Sequence, residues 1–168
     1  MSGIATADLF YHFQQELSAC ELQFRDIGGK VRFHGPIRTV VCRNDNLLLK
    51  NILSSPGEGA VLVVDGGGSL KSALMGDMIA GLGADNGWSG VIINGAVRDI
   101  RRIGEMDFGV KALGGNPTKS SKQGTGQSDV TLLFGGVLFE PGHWAYCDED
   151  GIAVAPRAVH EALAATVA

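Results

Sequence analysis

The stretch Ala60-Val61-Leu62-Val63-Val64-Asp65-Gly66-Gly67-Gly68 leads into a helical pattern from Lys71 to Ala84, then Gly87-Trp88-Ser89-Gly90 and Val91-Ile92-Ile93-Asn94. Short apolar, β-branched runs bounded by glycine read as strands buried on both faces. Two of them separated by a helix form a strand, helix, strand unit, whose natural solution is a right-handed parallel crossover. This unit makes the fold α/β.

Upstream, Thr6 to Leu17 places a capping-type Thr ahead of Leu9, Phe10, Phe13 and Leu17, which predicts an opening helix. Lys30 to Phe33 and Ile37 to Cys42 read as two short strands around a turn at His34-Gly35-Pro36, and Asn46 to Leu53 as a short helix ended by Ser54-Ser55-Pro56-Gly57. Downstream come a short helical stretch from Asp99 to about Met106 and a strand around Val110 to Leu113. Strands follow at Val130 to Phe134, Val137 to Phe139, Trp144 to Cys147 and, after a turn at Asp148 to Gly151, Ile152 to Ala155; a final helix starts from Pro156. The segment Gly114 to Asp129, rich in Gly, Ser, Thr and Lys, is long enough to be a functional or interface element.

Composition narrows the function classes. The chain has 168 residues, 25 of them Gly, against an average usage of about 7 per cent. With only 5 Pro and 45% hydrophobic residues, those glycines belong to a folded core, neither to collagen nor to a linker. The length fits one domain, residues 1–168. Fourteen basic against 18 acidic residues give a net charge of −4, which argues against capture of nucleic acid and leaves small anions open. No apolar run approaches the roughly 18 residues of a membrane span and no basic leader precedes an apolar segment, so a cytoplasmic location is expected. Cys20, Cys42 and Cys147 form no CxxC pair and read as reduced, structural thiols.

Several chemistries fall away. Asp65-Gly66-Gly67-Gly68-Ser69-Leu70-Lys71-Ser72 has Leu70 where a phosphate loop needs Gly, which leaves a tight strand-to-helix turn or a small-anion pocket lined by bare backbone. His12, His34, His143 and His160 lie far apart with no metal-ligand spacing, and no GxSxG elbow occurs. Lys111 is the one lysine in an apolar setting, as a Schiff-base nucleophile would be; an exposed strand face explains it better. Met75, Met78, Ile79 and Leu82 recur at helical spacing and read as core.

What remains is Asn94-Gly95-Ala96-Val97-Arg98-Asp99, directly after a buried strand. An Arg beside an Asp puts a bidentate carboxylate binder next to a hard oxygen ligand, the pair needed to hold a 2-oxo acid and a divalent cation. An ordinary surface ion pair or helix cap fits the same spacing. Gly76, inside the crossover, marks a kink or a helix start whose free amides can bind an anion, or else close helix packing.

The ordered set Thr6-Ala7-Asp8-Leu9, Val63-Val64-Asp65-Gly66-Gly67-Gly68, Gly95-Ala96-Val97-Arg98-Asp99, Ser128-Asp129-Val130 and Phe134-Gly135-Gly136-Val137 resembles the RraA-like family across essentially the whole chain. That family includes the regulator of ribonuclease E activity A and the class II 4-hydroxy-4-methyl-2-oxoglutarate aldolases. Its aldolases carry an acid, twenty residues and Arg-Asp, as Asp77, Arg98 and Asp99 do here. The resemblance implies a β/β/α fold akin to swivelling phosphohistidine domains and a homotrimer with sites at subunit boundaries, the Gly114 to Asp129 loop serving as subunit contact. It implies a lyase that cleaves 4-hydroxy-4-methyl-2-oxoglutarate to pyruvate and decarboxylates oxaloacetate. Arg98 would bind the 2-oxo acid, Asp99 would anchor a divalent metal largely through waters, and the backbone of Gly76, Asp77, Met78 and Ile79 would complete the anion site.

A single carboxylate with several waters suits Mg²⁺ or Mn²⁺. Asp77 or a metal-bound water is the candidate general base, and Gly66 to Gly68 and Gly95 would cluster around the same site. The rival reading is a regulator that docks on a ribonuclease or helicase without chemistry, and Asp99 favours the enzyme because regulator-type members can lack that acid. Methyl transfer, a further label among relatives, finds no adenosylmethionine-binding glycine motif. Pro141-Gly142-His143 and Cys147 depart from the family's usual Pro-Gly-Asp and Ala, away from Arg98-Asp99 in sequence.

Overall fold

A computed structural model describes residues 3–167. In chain order these form α1 (Thr6–Phe13), β1 (Ser18–Ala19), β2 (Arg25–Asp26), β3 (Phe33–Val41), α2 (Leu47–Leu53), β4 (Val61–Asp65), β5 (Ala73–Met75), α3 (Asp77–Asp85) and β6 (Gly90–Val97). There follow α4 (Ile100–Ile103), β7 (Gly109–Gly115), β8 (Gln127–Ser128), β9 (Leu132–Phe134), β10 (Val137–Phe139), β11 (Trp144–Asp148), β12 (Gly151–Ala155) and α5 (Val159–Val167).

The expected strand, helix, strand unit is one of three in succession. β3 crosses through α2 to β4, β4 through α3 to β6, and β6 through α4 to β7, giving four adjacent parallel strands. Antiparallel β11, β12 and β1 extend the sheet beyond β3, and β2 closes it beyond β7.

The central strands are apolar throughout because both faces are covered. Leu62, Val64, Val91 and Ile93 point into a core shared with Leu49 and Leu53 of α2, Ile79 and Ala80 of α3 and Ile103 of α4. Their alternates Val61, Val63 and Ile92 pack on the other side against Phe134, Val137 and Phe139 of the β9–β10 hairpin and against Ala145, Cys147 and Ile152. The result is a β/β/α arrangement. A third cluster seats Leu9 of α1 on Tyr146, Ala153 and Val159.

Five local expectations are corrected. Phe33 to Val41 is one strand through His34-Gly35-Pro36, not two around a turn. Its first part pairs antiparallel with β11 and its second, from Ile37, parallel with β4; Pro36, which has no N–H, sits at the change of partner. Gly35 is required there because a Cβ would overlap the Gly59 carbonyl oxygen.

The helical pattern from Lys71 is interrupted as well: Ala73–Met75 pairs with the end of β6, and the helix begins only after Gly76. α1 stops at Phe13, followed by a 3-10 turn over Gln14–Glu16. Thr6 is not its cap: both the Thr6 N–H and hydroxyl are bound by the buried carboxylate of Asp148, at 2.7 and 2.8 Å. Lys111 is buried, donating to the Asp148 carbonyl at 2.6 Å and to Asp26 at 2.7 Å; β2 pairs along β7 and sets Asp26 directly opposite it, where an exposed strand face was expected.

Candidate active site

Parallel strands deliver ligands to their carboxyl ends, and here β6 ends irregularly. Its pairing with β7 slips between Ile93 and Ala96, so Asn94-Gly95 forms a bulge that redirects the chain just before Arg98. Asn94 is fixed from both sides. Its Nδ2 donates to Asp65 Oδ1 at 3.1 Å, and its carbonyl accepts the N–H groups of Gly66 and Gly68 at 3.0 and 3.1 Å. Since Gly67 N–H is also taken, by Asp65 Oδ1 at 2.9 Å, the triple glycine is a self-satisfied turn and its amides are not open to an anion. Neither it nor Gly95 lines the cleft described below.

Arg98 is pinned by its backbone N–H to the Met75 carbonyl (3.0 Å) and by one guanidinium nitrogen to the Pro117 carbonyl (3.3 Å). Asp99 then turns into α4 with φ 58°, a left-handed conformation that Asp tolerates better than most residues. Its side chain does not cap α4. It reaches instead to α3, where Oδ2 accepts the Asp77 N–H at 3.0 Å.

The N-cap of α3 is Gly76, which has no side chain to cap with, so an acid from another element takes that place. A Cβ on Gly76 would lie 2.5 Å from Asp99 Oδ2 and 3.4 Å from Arg98 Cγ, so the contact exists only with glycine. The next two N–H groups, of Met78 and Ile79, have no carbonyl four residues back within the helix and form its positive end. The Asp77 N–H foremost, with Arg98 and Arg102 adding to it, holds the Asp99 carboxyl below its ordinary range against the opposing effect of burial. Asp99 is a carboxylate at neutral pH. The Asp77 carboxylate lies 3.3 Å from Arg102.

A cleft of about 580 Å³ opens over these groups, and all six residues expected from the sequence (Gly76, Asp77, Met78, Ile79, Arg98 and Asp99) line it. Met78 is exposed, a correction from a core position, and Ile79 turns its side chain into the helical core. Sequence reasoning missed the opposite wall. α2 and its cap supply Asn46 and Lys50, and the segment after β7 supplies Lys119, Ser120 and Lys122. Four cations and two carboxylates thus meet in a chain of net charge −4. The signal was Lys119-Ser120-Ser121-Lys122 in the glycine-rich loop, but nothing local says that it folds over Arg98. A larger cleft, about 840 Å³, lies at the other end of the strands beside His34 and Trp144 and contains neither Arg98 nor Asp99.

A wall of cations thus faces the first amides of α3 and a left-handed Asp at the carboxyl end of the parallel strands. The chain belongs to the RraA-like family, described as Aldolase/RraA, whose profile matches residues 5–154. An Alkalilimnicola ehrlichii protein provisionally named 4-hydroxy-4-methyl-2-oxoglutarate aldolase is 50% identical over 160 residues, 95% of this chain and 99% of its own. A Geobacillus kaustophilus structure described as an S-adenosylmethionine:2-dimethylmenaquinone methyltransferase superposes with a TM-score of 0.92 at 47% identity, covering 94% of this chain and 98% of that one. The RNA-processing inhibitor RraA from Thermus thermophilis gives 0.89 at 40% identity, covering 93% and 94%. Among the described residues, no helix is long and apolar enough to cross a membrane.

Proposed function

We propose that the chain is a divalent-metal-dependent class II aldolase that cleaves 4-hydroxy-4-methyl-2-oxoglutarate to two pyruvates and decarboxylates oxaloacetate to pyruvate and CO₂. The observation that carries this reading is the junction of Arg98, Asp99 and the open amides of Met78 and Ile79 in one cationic cleft. Both reactions break the C3–C4 bond, one carbon beyond the 2-oxo carbon. Both leave the electron pair in a pyruvate enolate, which a proton then quenches.

Asp99 fits a cation of the Mg²⁺ or Mn²⁺ type: it is an ionised carboxylate open to the cleft, and among the described residues no three His, Cys, Asp or Glu gather as a zinc site needs. Bound there, such a cation supplies Lewis-acid polarisation of the 2-oxo oxygen. Arg98 holds the adjacent carboxylate and the developing enolate charge, and the α3 amides orient the anion. The lysines of the opposite wall meet the distal carboxylate, and Asp77 or a metal-bound water takes the proton of the 4-hydroxyl. A homotrimer with this cleft at the subunit boundary accounts for Met78, a large apolar side chain 80% exposed at its mouth.

Pyruvate release from both substrates is to be followed with Mg²⁺ or Mn²⁺ and after chelation. Metal-dependent turnover supports the reading, and a folded sample with none overturns it. A second reading rests on the Thermus relative: the chain inhibits an RNA-processing enzyme by surface docking. Titration against a ribonuclease or helicase would then show saturable inhibition that Asp99→Ala leaves intact.

A further inference from the structure

Among the described residues no cation is paired with the carboxylate of Asp45, which is 1% exposed. It is satisfied by four donors: Oδ1 accepts the N–H groups of Leu47 (3.2 Å) and Gly124 (3.0 Å), and Oδ2 accepts Ser121 Oγ (2.8 Å) and the Gln123 N–H (2.7 Å). Three of the four come from the loop that carries Lys119 and Lys122. Asn44, held at φ 54°, extends the clasp. Its carbonyl accepts the N–H of Ser121 at 2.9 Å, while its Oδ1 accepts Ser69 and Ser72 Oγ from the loop before β5. Asn46 completes it, donating its N–H to the Ser121 carbonyl and accepting Lys122 Nζ at 3.2 Å on its side chain. Burying an unpaired charge for shape alone would be costly, and an apolar residue would serve a plain turn.

We propose that Asp45 is a positioning residue: it holds residues 119–124 closed over the cleft and so sets Lys119 and Lys122 against the substrate carboxylate farthest from Arg98. This rests on the reading of the cleft as a site for dianionic 2-oxo acids. Asp45 touches no reacting atom, so its loss acts on substrate capture and leaves the chemistry at Arg98 and Asp99 in place.

Asp45→Asn keeps the shape and turns an amide toward N–H donors. The expected result is a KM for oxaloacetate raised about tenfold with kcat within about twofold, the pattern of lost uniform binding. Amide exchange at Gln123 and Gly124 should be accelerated at least tenfold. The milder Ser121→Ala should raise KM about threefold, and Ser121→Thr, which keeps the hydroxyl, should restore it. In a Lys122→Met background Asp45→Asn should add little, since both act through one contact. Unchanged exchange, an unchanged KM, or kcat falling in step with kcat/KM overturns the proposal. A wild-type protein without turnover in which Asp45→Asn still accelerates exchange overturns the 2-oxo acid reading, and with it the role for the lysines, while the clasp stands.

Discussion

Asp99 Oδ2 accepts the backbone N–H of Asp77 at 3.0 Å, joining two residues 22 positions apart. The spacing seen in the sequence as an acid followed at a distance by Arg-Asp is thereby a contact: the second acid caps the helix that the first one opens. The first acid's carboxylate is left to Arg102, and its backbone does the joining.

Gly76→Ala should break that contact, because the new Cβ would stand 2.5 Å from Asp99 Oδ2. Displacing a reacting group by about 1 Å costs on the order of 100-fold in rate, so kcat/KM should fall by that order while the fold survives. Steady-state kinetics with circular dichroism check it; full activity would remove Gly76 from the site.

Asp99→Asn tests charge apart from shape. Asn tolerates the left-handed backbone at φ 58° and still offers an acceptor to Asp77. Turnover should drop about 100-fold or more, with thermal stability within about 1 kcal/mol of wild type. A melting curve and a pyruvate assay on the same sample separate the two.

Lys111 is excluded as a Schiff-base nucleophile by its burial and its two oxygen partners. Borohydride with pyruvate should leave activity intact. Lys111→Met should retain kcat yet lose about 2–4 kcal/mol of stability, because Asp26 and the Asp148 carbonyl lose their donor. Covalent labelling of Lys111 would contradict this.

Acid should loosen the cleft wall. Burial pushes the Asp45 carboxyl up, but hydrogen bonds from Ser121, Gln123, Leu47 and Gly124 outweigh it and hold the group below its ordinary range. A depressed folded pKa stabilises fully above the unfolded value of about 3.9 and is lost as pH falls through the folded one. Denaturant midpoints should therefore decline below about pH 4, and less steeply in Asp45→Asn, which has one group fewer to protonate. Equal slopes would show that Asp45 contributes nothing to the acid limb.

Much of this was legible in the chain. The double-faced strands, the parallel crossover, the β-rich second half and the place of Arg98-Asp99 after a buried strand followed from periodicity, punctuation and family resemblance. What failed did so for tertiary reasons. A glycine and a proline in succession signal a turn unless the strand changes partner there, as β3 does at Pro36. A lysine among apolar residues looks exposed unless a short strand such as β2 brings an acid to it. A triple glycine after a strand looks like an anion loop unless a bulge offers its amides a carbonyl, as at Asn94.

By itself the sequence determined the layered α/β fold and one wall of the cleft, because burial patterns and the Asp77 to Asp99 spacing are local or nearly so. The tertiary structure alone decided the other wall. Asn46, Lys50, Lys119 and Lys122 lie on segments more than sixty residues apart and converge because one buried carboxylate, Asp45, must find its hydrogen bonds in a distant loop. That pairing is set by the cost of leaving a charge unsatisfied, which no periodicity along the chain records.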